Sequence, residues 1–125
     1  MRWLIHGTLT PAAGEALRRH GHTTRLPAEI SLAPDAPAED VLREASKNQL
    51  DLITADAAIA SAPYEQRLSF GRSIVLLNVE NGDVEQDDAI DRLFERYKRL
   101  TPGRLYTVTG SRVKIRQLPS GNAEC

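Results

Sequence analysis

The feature that most narrows the fold of this chain is an alternation. Short apolar runs of the kind that form buried strands are separated by segments whose apolar residues recur every three or four positions. Trp3-Leu4-Ile5 is the first run, closed by Gly7. Thr10-Pro11 then places a hydroxyl and a proline where a helix begins, and Gly21 ends that segment. His22 to Leu26 is β-prone, and Pro27 confines it to an edge or a strand end. A second helix is predicted from near Pro37, with Val41, Leu42 and Ala45 on its apolar side.

Asp51 to Ala55 reads as a third strand, followed at Asp56 by another short helix. Ser73 to Val79 is the most apolar strand and so the expected centre of the sheet, with Asn81-Gly82 turning the chain after it. Asp87 to Leu100 carries Ile90, Leu93, Phe94, Tyr97 and Leu100 at helical spacing, with acids at its start and Lys98 and Arg99 at its end. Arg104–Thr109 and Arg112–Leu118 alternate strictly around Gly110-Ser111, the pattern of a hairpin. The order predicts an α/β fold in three layers, helices on both faces of a mostly parallel sheet, with a C-terminal antiparallel hairpin.

At 125 residues the chain has room for one domain, expected over 1–118, with a loose tail over 119–125. Its 16 lysines and arginines against 17 acids exclude a domain that coats nucleic acid by charge alone, though not a local basic face. One cysteine, Cys125, excludes an internal disulfide and a multi-cysteine metal site. No apolar run approaches the ~20 residues of a membrane helix, and the N-terminal run is too short for a signal peptide. A cytoplasmic protein that makes no membrane contact is the expectation. No glycine-rich phosphate loop or nucleophile-elbow serine is present, and His6-Gly7-Thr8 lacks the acidic pair of a receiver-type phosphoacceptor.

In sheets of this kind ligands bind beyond the carboxyl ends of the strands, where strand order reverses. That singles out His6-Gly7-Thr8, Thr54-Ala55-Asp56 and Asn78-Val79-Glu80. His6 is either a soft-metal ligand or general base, or a replacement that fills a vacated position. Asp56 is either a metal ligand or a helix cap, and the two roles are compatible; Thr54 suits the same turn. Glu39 and Asp40 are either site acids or the acidic first turn of a helix. Arg112, Lys114 and Arg116 alternate along the last strand, either to meet phosphates or to guard a solvated edge, with Val113, Ile115 and Leu118 expected largely opposite or turning inward. His20 and His22 flank a helix end and carry no metal signature.

From about Arg2 to Leu118 the chain resembles small PIN-like domains of bacterial type. The resemblance rests on Leu9-Thr10-Pro11 and Leu17-Arg18-Arg19-His20-Gly21-His22, then Glu39-Asp40-Val41-Leu42-Arg43-Glu44-Ala45, Leu52-Ile53-Thr54-Ala55-Asp56, and Arg112-Val113-Lys114-Ile115-Arg116, in that order. It implies the PIN-like nuclease fold, RNA cleavage by magnesium or manganese held on gathered acids, and pairing with an antitoxin-like protein. The sequence departs from the pattern at the acids. His6-Gly7 stands where the family has Asp-Glu after the first strand, and Ala58 stands where the third-strand motif has its last Asp.

The expectation is therefore a pseudo-nuclease: a PIN-like domain without efficient metal-dependent cleavage that binds RNA or protein. The alternative is an active ribonuclease, such as the toxin of a toxin–antitoxin pair, using His6, Asp56 and Glu39 or Asp40, with Asp56 and Asp40 on Mg²⁺ or Mn²⁺. Self-association through the 87–100 helix is a further expectation, set against a core-facing stripe.

Overall fold

Two apolar layers, one on each side of a six-stranded sheet, account for the alternation in the sequence. The computed structural model describes residues 1–7, 9–33, 35–79 and 82–119. Strands β1 (Arg2–His6), β2 (Thr23–Arg25), β3 (Asp51–Thr54), β4 (Ile74–Leu77), β5 (Arg104–Val108) and β6 (Val113–Gln117) lie in the order β2-β1-β3-β4-β5-β6. The first five are parallel, and β6 returns antiparallel beside β5. Helices α1 (Pro11–Arg19) and α4 (Asp83–Arg96) cover one face, and α2 (Ala38–Lys47) and α3 (Ala57–Glu65) the other. The predicted α/β class, the mostly parallel sheet and the C-terminal hairpin are all present. Among the described residues no helix is long and apolar enough to cross a membrane.

Pleating sorts the strand side chains between the layers. Trp3, Ile53, Val75 and Tyr106 meet Leu17, Ile90, Leu93 and Phe94 on the α1/α4 face. Leu4, Leu52, Ile74 and Leu105 meet Val41, Leu42, Ile59 and Phe70 on the other. β3 and β4 are buried at every position, which is why Leu52-Ile53 and the whole of β4 read as apolar runs, with Asp51 and Thr54 buried at the two ends of β3. Each fully buried Leu or Ile contributes about 1.5–3 kcal/mol.

The connections differ in hand. α1 carries the chain from β1 toward the β2 edge over one face, and α2 and α3 carry it toward the β6 edge over the opposite face. Those three crossovers share a hand. α4 also moves toward the β6 edge, yet over α1's face, so the β4-α4-β5 connection has the opposite hand. Parallel crossovers are almost always of one hand, so this is an unusual placement. It sets the start of α4 against the start of α1, where Gln86 Oε1 accepts from the Thr10 backbone N–H at 2.8 Å.

Three sequence expectations are corrected. The last helix is not Asp87–Leu100 but begins at Asp83 and ends at Arg96. Gly82 serves as its N-cap, and Asp83 and Glu85, not Asp87 and Asp88, make its acidic first turn. Tyr97 leaves the helix to pack edge-on against Tyr106, ring centroids 5.9 Å apart. Thr10 stands at the N-cap of α1, but its hydroxyl turns to Gln86 instead of capping its own helix. The fourth strand is Ile74–Leu77, shorter than Ser73–Val79. Leu118 shares a face with Arg116 and packs in the α2/α3 layer, since the chain keeps its period-two alternation through that point. Ile90, Leu93 and Phe94 face the core, so the apolar stripe of α4 is spent within the fold. Thr8, Pro34, Glu80, Asn81 and 120–125 lie outside the described residues, including the expected Asn81 turn, Cys125 and all of the tail beyond Pro119.

Trp3 Nε1 donates to His22 Nδ1 at 3.1 Å, and the His22 ring packs on Phe94, centroids 4.6 Å apart. Burial, the nearby N-terminal amine and His20 push the His22 pKa down to about 4. Protonation of Nδ1 would take away the lone pair that Trp3 uses. Between its ordinary value of 6.5 and about 4 the unfolded chain binds a proton that the folded chain does not. The stability from His22 is thus full above 6.5 and is lost as pH falls through 4. We expect a loss of about 1–2 kcal/mol after solvent screening. His22→Asn keeps an acceptor for Trp3 without titrating. Urea unfolding at neutral pH and near the lower end of that window should show a smaller acid loss in the variant, with the remainder shared by His6, whose pKa is lowered by burial. Equal losses in the two proteins would rule out His22 as a source.

Candidate functional site

Strand order reverses between β1 and β3, so the crevice that such sheets use for ligands is expected beyond His6 and Thr54. The two residues are register partners in adjacent strands. The pleat points both toward the α2/α3 face, where the layer residues Leu4 and Leu52 precede them by two positions. His6 Nδ1 and Thr54 Oγ1 are 3.1 Å apart. The same Oγ1 accepts from the Asp56 backbone N–H at 3.0 Å. One oxygen therefore ties the end of β1, the end of β3 and the start of α3.

Asp56 is the N-cap of α3, and its Oδ1 accepts from Ala58 N–H at 2.9 Å. The capping expectation is met; the carboxylate's other oxygen has no partner among the described residues, and its charge lies near enough to act on the His6 ring. His6 is half-buried. Burial lowers its pKa and Asp56 opposes that shift, so burial favours the neutral imidazole. Gly7 follows at φ +84°, and a Cβ there would sit 3.2 Å from Thr54 Oγ1.

The other candidate acids are placed elsewhere. Asp40 accepts from Arg43 at 2.7 Å, an exposed pair within α2. Glu39 is exposed in the same first turn and lines a shallow groove along α2 with Lys47 and Ser69. His6, Asp56 and either of these do not converge. No three His, Cys, Asp or Glu side chains stand close enough to share a cation among the described residues. A hard divalent ion wants several oxygen ligands, and two-metal cleavage wants carboxylates bridging ions about 4 Å apart. One free carboxylate oxygen beside an imidazole committed to Thr54 does not fit such a centre.

No family model, curated protein or solved structure matches the chain.

Arg112, Lys114 and Arg116 are exposed, but they do not act as one patch. Arg112 precedes β6 in the hairpin turn. Arg116 lies over the Tyr64 ring, 3.9 Å from its centroid, while Tyr64 Oη donates to the Gln117 carbonyl. Lys114 and Arg112 have no ion-pair partner among the described residues. Two positioning residues escaped the sequence reading. Gln86 occupies a core position, 1% exposed, and no apolar pattern announces a buried amide. Gly7 reads only as a strand terminator until its positive φ is seen.

Proposed function

We propose that this chain is a PIN-like domain whose crevice binds single-stranded RNA without metal-dependent cleavage. The observation that carries the reading is the Thr54-centred set of hydrogen bonds: it commits the His6 imidazole and the Asp56 backbone to one oxygen, and Asp56 to capping α3. The groups that remain exposed are hydrogen-bonding groups rather than a cation cage. Arg112 and Lys114 supply positive charge on the far edge for phosphate contacts, few enough that affinity should be modest and should fall with salt.

The test incubates the full chain with a single-stranded RNA in Mg²⁺, in Mn²⁺ and in EDTA, reading cleavage on gels and binding by fluorescence anisotropy. Binding that persists in EDTA, with no cleavage above buffer, is the expected result. Metal-dependent cleavage abolished by Asp56→Asn would overturn the reading in favour of an active ribonuclease.

A further inference from the structure

The hydroxyl of Thr54 has one proton and two lone pairs, and the residue is 0% exposed, so water does not complete its bonding. The Asp56 N–H occupies one lone pair at 3.0 Å. The remaining contact is His6 Nδ1 at 3.1 Å. Were Nδ1 to donate, both lone pairs would be used, and the buried hydroxyl proton would face no acceptor among the described residues. Were the hydroxyl to donate instead, every group would be satisfied. The second arrangement puts the ring's own proton on Nε2.

We propose that Thr54 is a positioning residue that locks His6 as the Nε2–H tautomer, so that the crevice presents an N–H donor beside the free Asp56 oxygen, a donor–acceptor pair that recognises a ribose hydroxyl. A hydroxyl accepts from Nε2–H and donates to the carboxylate, using both of its capacities at once. A cation finds no lone pair on that nitrogen. The lowered pKa of His6 agrees with a ring that stays neutral. The 2′-hydroxyl is what separates RNA from DNA at a given site. This assignment rests on the RNA-binding reading above and adds the group that is read.

The tautomer is measured on the ¹⁵N-labelled full chain near pH 8 by long-range ¹H–¹⁵N correlation of the histidine rings. His22, whose Nδ1 accepts from Trp3, supplies an internal reference for the Nε2–H form. His6 should give the same pattern, and Thr54→Ser, which keeps the hydroxyl, should preserve it. Thr54→Val should mix the two tautomers if it folds. A His6 ring protonated on Nδ1 in the wild-type chain overturns the proposal. Binding is then compared, in EDTA, between a single-stranded RNA and the all-deoxy strand of the same bases with uracil retained. The RNA should bind more tightly by roughly tenfold or more, as expected when the deoxy strand loses both of the hydroxyl's hydrogen bonds, and His6→Ala, which removes one of the two, should diminish the preference. Equal affinities for the two strands overturn the ribose assignment while leaving RNA binding intact. Absence of binding to either strand overturns the RNA reading, and the ribose assignment with it.

Discussion

Trp3→Ala should lower the unfolding free energy by about 3–5 kcal/mol, the range for emptying a buried aromatic site. A domain of this kind holds about 5–15 kcal/mol in total, so one substitution removes about a fifth or more. Trp3 is 0% exposed and sits where α1 and α4 both meet the sheet, against Ala13, Ala16, Leu17 and Phe94. Its ring meets Phe94 edge-on, with centroids 6.2 Å apart. Small neighbours such as Ala13 and Ala16 cannot collapse into the space, so most of the cavity should remain. The indole also gives His22 its hydrogen bond, so the variant loses polar satisfaction along with packing. Trp3→Phe should cost less, since the ring largely fills the volume while the N–H is lost. Chemical unfolding followed by circular dichroism measures both, because the chain has no other tryptophan to report by fluorescence. A loss under about 1 kcal/mol for Trp3→Ala would contradict the burial described.

What the sequence made legible was set by periodicity, and what it hid was set by polar side chains in long-range contact. Leu52-Ile53 and Ile74-Val75-Leu76-Leu77 are apolar on both faces because helices cover both, and that pattern is readable locally. The start of α4 is a different case. Val84 is 68% exposed and Gln86 is buried, so the first turn inverts the usual pattern and the apolar periodicity starts only after Asp87. Only the contact with Thr10, 76 residues away in sequence, explains why an amide belongs there. The hand of the β4-α4-β5 crossover is likewise absent from any local window. At the candidate site, Asp56 as a cap is visible because capping is local. The convergence on Thr54 is not, because His6 reaches it across 48 positions and only strand pairing makes them neighbours. For the same reason the sequence could nominate Glu39 and Asp40 as site acids, and only the fold could separate them from Asp56.

Gly7→Ala should destabilise the chain by about 2–3 kcal/mol and disturb the site at the same time. Gly7 and Gly21 have nearly identical backbone angles, φ +84° and +85°, in the left-handed region that costs an L side chain about 1–2 kcal/mol. They differ in what a Cβ would meet. At Gly21 nothing lies within 4 Å, so Gly21→Ala measures backbone strain alone. At Gly7 the new methyl would stand 3.2 Å from Thr54 Oγ1 and 3.8 Å from Asp56 Cβ. Thr54 cannot easily yield, since it is fully buried and its oxygen is held by His6 and Asp56. The excess of Gly7→Ala over Gly21→Ala, read by parallel urea titrations, therefore reports how rigidly that oxygen is fixed. The His6 ring resonances should shift in the first variant and stay unchanged in the second. Equal destabilisation with unchanged His6 resonances would mean that the turn after β1 can move without Thr54, and that the end of β1 and the start of α3 are not held as one unit.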